Sequence, residues 1–395
     1  MFSVNQILFL LFGFCLPFSV AFCYLLLGLM VLSALFRKNS HNYRSLIRTH
    51  PLTGWGIAWL ILHLLGLLWT PLLEDSLTPL KKSIYMAMIP CLMFSIQPRK
   101  DLEKGLFAFV CGIFIYHLLT HGIVFGWWSV EYMQYGGTPF INRTQYSPML
   151  VFSILILFFL QRNWNPPARA MSFLVQISFL ISLVTTKGRT GMAVLVILVG
   201  LWVIMEAKSI RKFLWVFGAA MLSFLFLCFY VPSFQAGIED LRIGWKNYQS
   251  QNTRSSLGER LHHVDAGLRL FWKSPWFGHG TGSYPSEHKK LLQSHYPPGT
   301  IDSDHPHNQY LAAMVQHGLV GLILLLSLFP ILIRAYFQIP NHPARPLLAL
   351  FPVMFLLLCM TDESVYSVPS LTFFMYLSSL LYHPDWMSKH QELKD

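Results

Sequence analysis

Apolar residues fall in long windows that contain no Lys, Arg, Asp or Glu: 1–36, 49–73, 83–98, 105–130, 144–161, 170–186, 190–205, 213–238, 305–333, 346–361 and 364–384. A helix that crosses a bilayer needs roughly 20 mostly apolar residues. The first window carries Pro17 near its middle and is long enough for two short helices, so the pattern predicts about 12 spans. One polar segment stands out among the connections: Ser233–His305, placed between spans 9 and 10. The expected architecture is therefore a single all-α polytopic membrane domain over 1–395, with 233–305 inserted as one large helical loop.

The inserted segment has its own periodicity. Ser233–Gln251 mixes Phe234, Ile238, Leu241, Ile243 and Trp245 with charges, which suits a helix lying on the membrane or on the bundle. In Ser255–Lys273, Ser256 and Glu259 have capping-box spacing. Leu257, Leu261, Val264, Leu268 and Phe271 then recur as one apolar stripe of an amphipathic helix. His262 and His263, on the same helix, are expected to be solvated. Ser274-Pro275 ends the helix, and Gly278-His279-Gly280-Thr281-Gly282 reads as a glycine-rich turn. From Asn308 onward the chain is helical again.

Composition agrees with the pattern. Hydrophobic residues make up 54% and charged residues 12%, against about a quarter charged in soluble domains. The six cysteines all sit in apolar windows, so no disulfide is expected in the inserted segment. No positive charge precedes the first apolar window, so no signal peptide is expected. Lys and Arg concentrate in alternate short connections, around 37–48, 99–104, 162–169, 208–212, 334–345 and 389–394. By the positive-inside rule, those connections and both termini are cytoplasmic and the inserted segment is outside. The acidic pairs Glu74-Asp75 and Asp362-Glu363 fall on the outer side. The net charge of +11 is in large part this topology signal, and no nucleic-acid motif accompanies it.

Candidate chemistry gathers where the polar segment meets the membrane. Arg143, Lys187, Arg189 and Arg260 are outer-side cations that the topology rule does not require. A guanidinium fork suits phosphate oxygens; snorkelling to lipid headgroups, or a simple ion pair, is the bland alternative. Glycines flank Arg189 and let backbone or ligand come close. His307 opens an apolar helix and can act as a general base near neutral pH, with His305 two residues away; a polar cap is the plainer role. His117 and His121 have i, i+4 spacing but no evident third ligand. Asp302-Ser303-Asp304 is a D-x-D pattern of the kind that holds a divalent metal and a diphosphate, and also the kind that merely favours a helix N-terminus.

Three segments together resemble the O-antigen ligase family, within the wider O-antigen ligase/polymerase superfamily. They are Lys187-Gly188-Arg189-Thr190-Gly191; Gly258-Glu259-Arg260 followed by Trp272-Lys273-Ser274-Pro275-Trp276-Phe277-Gly278-His279-Gly280-Thr281-Gly282; and His305-Pro306-His307-Asn308-Gln309-Tyr310-Leu311 followed by Gln316-His317-Gly318-Leu319-Val320-Gly321. The resemblance implies a GT-C-like, inverting, metal-independent glycosyltransferase of the bacterial inner membrane with its active site facing the periplasm. It implies no cofactor. The donor would be O-antigen polysaccharide on undecaprenyl diphosphate, and the acceptor a sugar hydroxyl of lipid A-core. Carried onto this chain, Arg189 and Arg260 would clamp the donor diphosphate and His307 would be the base, with Lys187, Arg143 and Asn308 as further substrate-binding residues. The second histidine, His305, is a departure that leaves the base assignment open between the two. An O-antigen polymerase and a protein O-oligosaccharyltransferase are the near alternatives. A polysaccharide-lipid transporter is the remote one, since the repeat-related halves and broken helices that mark transporters are not evident.

Overall fold

The computed structural model describes residues 3–35, 50–128, 138–186, 188–206, 232–249, 255–297, 300–364 and 367–388, with isolated positions between 206 and 232. Most of the expected ninth span, 213–238, lies outside the described residues, as do Lys187 and Arg254.

The described residues are helical throughout, without strands. In chain order the helices are α1 (Val4–Cys15), α2 (Val20–Leu35), α3 (Pro51–Gly66), α4 (Leu73–Ala87), α5 (Ile89–Met93), α6 (Pro98–Val124), α7 (Arg143–Leu160), α8 (Pro166–Thr185), α9 (Arg189–Glu206), α10 (Pro232–Gln249), α11 (Ser256–Lys273), α12 (Tyr284–His295), α13 (Gln309–Gln338), α14 (Arg345–Leu358), α15 (Val368–Leu381) and α16 (Asp385–Ser388). Five stretches are long and apolar enough to cross a membrane: Lys100–Val124, Arg143–Asn163, Pro166–Thr185, Arg189–Glu206 and Gln309–Gln338. Five shorter apolar helices accompany them. This is a multi-pass membrane protein.

The bundle is built around α7, buried along nearly its whole length. The helix α1 packs on α6, and α9 lies against both α7 and α14. The expected span over 83–98 is made from the end of α4 and the short α5, separated at Met88.

A break in α13 seats the inserted segment on the bundle. The helix breaks at Gly318, whose φ of 63° is open to glycine at little cost. A break frees backbone groups that lipid cannot satisfy. The glycine-rich turn satisfies them: His279 N–H donates to Val315 O and Gly280 N–H to Gln316 O, both at 2.9 Å. Leu319 N–H, beyond the break, donates to Pro275 O at 2.8 Å. Thr281 reaches across to α3, where its N–H meets Gly66 O at 3.2 Å and its Oγ1 meets His63 O at 2.7 Å. Gly280 has φ of 100°, and a Cβ there would lie 2.6 Å from Thr70 Cα. No other residue type fits so close a crossing. The turn is thus a seam that joins the inserted segment to the bundle.

Above the seam, α11 packs against α10, α12 and α13. Its N-cap is Ser255, not Ser256: the Ser255 side chain accepts from Gly258 N–H at 3.0 Å. Glu259 therefore sits one position beyond the capping-box site. The face of α11 that is buried also differs from expectation. His262, His263, Ala266 and Leu270 are buried, whereas Val264 and Leu268 of the predicted stripe are each 40% exposed. The other stripe residues, Leu257, Leu261 and Phe271, are half-buried. The inner face is lined by histidines because their partners come from α12, which periodicity within α11 does not reveal.

Candidate active site

A cavity of about 750 Å³ opens at one end of the bundle. Two walls enclose it. One belongs to the inserted segment and its return: Glu259 and Arg260 from the first turns of α11, Tyr284 and Pro285 at the start of α12, and Asp304, His305 and His307 before α13. The other belongs to the bundle: Glu74, Asp75, Thr78 and Lys82 from α4, Asn142, Thr144 and Gln145 around the start of α7, and Thr361, Asp362, Glu363 and Ser367 between α14 and α15. Gln145 Nε2 donates to Ser367 Oγ and ties the second wall together.

The turn that carries His307 has a clear local cause. Asn308 is the N-cap of α13, accepting from Tyr310 N–H at 2.9 Å and Leu311 N–H at 3.1 Å, while its Nδ2 donates to Met360 O at 3.2 Å. Pro306 and this cap fix the chain on either side of His307, which takes a φ of 49°. A non-glycine residue in that region is uncommon and is found at positions the surroundings hold in place. His307 is about a third exposed, its ring lies 4.1 Å from that of His305, and its Nε2 is 3.9 Å from Glu259 Oε1. That last distance is too long for a hydrogen bond, and it becomes an attraction once the imidazole is protonated.

Six carboxyl groups line the cavity (Glu74, Asp75, Glu259, Asp304, Asp362 and Glu363) against two permanent cations, Lys82 and Arg260. Glu363 is packed among protein atoms and opens only in part to the cavity. Desolvation pushes its carboxyl up to about 8, with the Lys82 ammonium pulling it back and Asp362 pushing it further up. Burial lowers the Lys82 ammonium, and Glu363 and Asp362 oppose that. Burial, then His307, lowers the His305 imidazole, so His305 is biased to its neutral form.

Of the residues singled out in the sequence, His307, His305, Arg260 and Asp304 come together at this cavity. Arg189 does not line it. Its Nη2 pairs with Asp240 Oδ2 of α10 at 3.3 Å, both side chains being substantially exposed. The turn before it is nevertheless close by: a Cβ on Gly188 or Gly191 would lie 2.9 or 2.6 Å from Ser147 Cβ, just past the α7 residues that form the cavity wall. Arg143 is the first residue of α7, flanked by the lining residues Asn142 and Thr144 without being one. Asn308 serves as the helix cap, and Lys187 lies outside the described residues. Asp302 faces away from the cavity toward His288, at 3.6 Å. His117 and His121 have ring centroids 4.3 Å apart with the rings tilted at 57°, and no third donor lies close to them among the described residues. Donor atoms of His305, His307 and Asp362, and of Glu259, His263 and His307, lie within 4.8 Å of one another and could approach a cation.

Sequence reasoning missed the second wall. Glu74-Asp75 and Asp362-Glu363 were read only as topology markers, and Lys82 and Gln145 were not singled out. The available signal was carboxylate pairs at the ends of apolar helices, where isolated acids are costly unless they have a use. His262 and His263 are not solvated: they are 1% and 0% exposed.

The family model described as O-antigen ligase matches residues 173–326. An uncharacterised protein of Haemophilus influenzae is 28% identical over 201 residues, a stretch that covers 49% of each chain. The chain thus spans about half the length of that relative. The matched stretch 173–326 holds Arg189, Arg260 and His307 together with the glycine-rich turn that seats the inserted segment on the bundle, and over that stretch the chain is similar to the O-antigen ligase family.

Proposed function

We propose that the chain is a lipid A-core:O-antigen ligase, a glycosyltransferase that moves O-antigen polysaccharide from undecaprenyl diphosphate to a sugar hydroxyl of lipid A-core at the periplasmic face of the inner membrane. About twelve GT-C-like spans with cytoplasmic termini would hold the site there. The observation that carries this reading is the convergence of His307 and Arg260, from segments far apart in sequence, on one open cavity.

In the proposed reaction His307 takes the proton from the acceptor hydroxyl. That oxygen attacks the anomeric carbon of the donor's terminal sugar, forming the new glycosidic bond. The bond from that carbon to the diphosphate oxygen breaks, and undecaprenyl diphosphate leaves with the electron pair. A single displacement inverts the anomeric centre. Arg260 stabilises the leaving charge as it develops, the role that fixed cations fill in transition states. Arg189 joins it by exchanging the Asp240 carboxylate for a phosphate oxygen, with Arg143 and Lys187 adding positive potential and Asn308 holding the His307 turn. Guanidinium charge thus takes the part that a metal plays in D-x-D enzymes. Glu259, 3.9 Å from His307, stabilises the imidazolium formed by proton capture.

The carboxylate wall fits the other substrate. Ionised carboxylates only accept hydrogen bonds, and sugar hydroxyls supply many donors. Asp362, Glu74 and Asp75 would hold the acceptor core sugar opposite the donor diphosphate at Arg260.

The test is reconstitution of the purified chain with lipid-linked O-antigen and lipid A-core, with and without a chelator. Attachment of the full polysaccharide to the core, undiminished by chelator, is the expected result. Lengthening of the lipid-linked glycan without transfer to the core would instead make it a polymerase. Glycosylation of a co-reconstituted protein acceptor alone would make it a protein O-oligosaccharyltransferase.

A further inference from the structure

Behind the cavity, α11 and α12 face each other across three imidazoles. His262, His263 and His288 are 1%, 0% and 0% exposed. His262 Nε2 and His288 Nε2 are 3.0 Å apart. One nitrogen from each of the three residues lies within 4.8 Å of the others. Two histidines in sequence on one helix, met by a third from the next helix, form a compact donor set that nothing in the proposed transfer uses.

As a purely hydrogen-bonded cluster this arrangement is incomplete. One bond joins His262 to His288, and a second joins His263 Nδ1 to the Tyr284 hydroxyl at 2.9 Å. His263 Nε2 remains buried without a hydrogen-bond partner among the described residues, with Glu259 Oε1 3.9 Å away. Buried polar atoms in native proteins are nearly always satisfied, and those that are not call for an explanation such as an ion.

We infer that His262, His263 and His288 bind a first-row transition-metal dication, zinc above all, as a three-imidazole site that clamps α11 to α12. Imidazole donors suit zinc, copper and nickel rather than magnesium or calcium. Two imidazole nitrogens on a tetrahedral zinc, each at about 2.0–2.1 Å, lie roughly 3.3 Å from each other. The His262–His288 spacing is already within a few tenths of an ångström of that. One nitrogen of His263 lies within 4.8 Å of both and completes the set.

The surroundings match what metal-bound histidines usually have. A ligating imidazole commonly passes its second nitrogen to a hydroxyl or carboxylate that fixes the ring. His263 does so to Tyr284, and His288 Nδ1 faces Asp302 Oδ1 at 3.6 Å. The site is distinct in purpose from the cavity. It would join α11 to α12 without touching the reacting atoms, and ligation is expected to survive its removal.

The experiment measures metal directly and is independent of whether the chain ligates O-antigen. The full-length chain is purified in detergent without a polyhistidine tag, stripped with chelator, titrated with Zn²⁺, and its metal content read by plasma mass spectrometry. The expected result is close to one zinc per chain. The double variant His262→Gln/His288→Gln is expected to lose it, and Asp302→Asn to weaken affinity about 10- to 100-fold against a chromophoric chelator. His307→Ala retains full stoichiometry, which separates this site from the donor set that shares His263 with the cavity. Wild-type chain that takes up no zinc under titration overturns the inference without recourse to any variant. So does zinc bound equally by the double variant, or lost on His307→Ala.

Discussion

The two walls of the cavity come from different kinds of structure and carry different chemistry. The wall from the inserted segment brings Arg260, His305 and His307, the groups able to meet an anion or move a proton. The wall from the bundle brings Glu74, Asp75, Asp362 and Glu363 around Lys82. A cavity lined only like the first would meet an anion at Arg260 alone, with Glu259 and Asp304 set against it. One lined only like the second would repel a diphosphate. The division assigns a donor side and an acceptor side to one space, and it predicts that substitutions on the two walls fail in different ways.

The largest effect is expected on the first wall. His307→Ala should insert normally and lower ligation by roughly 10²- to 10⁴-fold, the usual worth of a positioned base. The loss should lie in turnover rather than in donor affinity. Rates near wild type would shift the base to His305. Arg260→Ala should follow with a loss of roughly 10²- to 10³-fold. Asp240→Ala tests the remoter cation: it removes only the exposed partner of Arg189, a contact worth about 0–1 kcal/mol, and should leave ligation within a few-fold. A collapse of activity in Asp240→Ala would mean that the Arg189–Asp240 pair is itself part of the site.

Next comes the seam between the walls. Gly280→Ala puts a side chain on a residue with φ of 100° and a Cβ 2.6 Å from Thr70 Cα. The strain and the clash together should cost roughly 2–4 kcal/mol. Both walls should suffer, because the turn holds the inserted segment against α3 and α13. Retained thermal stability and ligation in this variant would show that the turn is not what sets the walls apart.

How much of this could be read in the chain depends on where the partners lie. The apolar helices, five of them long enough to cross a membrane, were legible because apolar windows are a local property. His307, Arg260 and the glycine turn were legible because each sits in a short motif with its own chemistry. Three things were not. The register of α11 was misread because Ser255 and Ser256 are both capable caps, and only the Gly258 N–H bond decides between them. His262 and His263 looked solvated because their partners, Tyr284 and His288, belong to a different helix. The acidic wall was taken for a topology signal because each carboxylate pair, seen alone, is an ordinary helix-end feature. Arg189 shows the same limit from the other side, since its motif marks it for the cavity and an exposed aspartate on α10 holds it beside the cavity instead.

The smallest effect is on the second wall, and its sign follows from Glu363. The folded chain holds this carboxyl at about 8, above the ordinary value of 4.5. Below pH 4.5 the group is protonated whether the chain is folded or not, and it costs nothing. Between that value and 8 the unfolded chain is ionised while the folded one keeps its proton, so stability falls as pH rises. Above 8 the full deficit remains. Glu363→Gln removes the titration and keeps the shape. Because the carboxyl opens in part to the cavity and faces the Lys82 ammonium, the deficit should be on the order of 1–3 kcal/mol. Relative to its own value at about pH 5, the apparent unfolding temperature of the wild type at about pH 8.5 should therefore fall roughly 1–3 °C further than that of the variant. Parallel pH profiles for the two proteins would mean that Glu363 is ionised and solvated throughout, and that the second wall is as wet as the first.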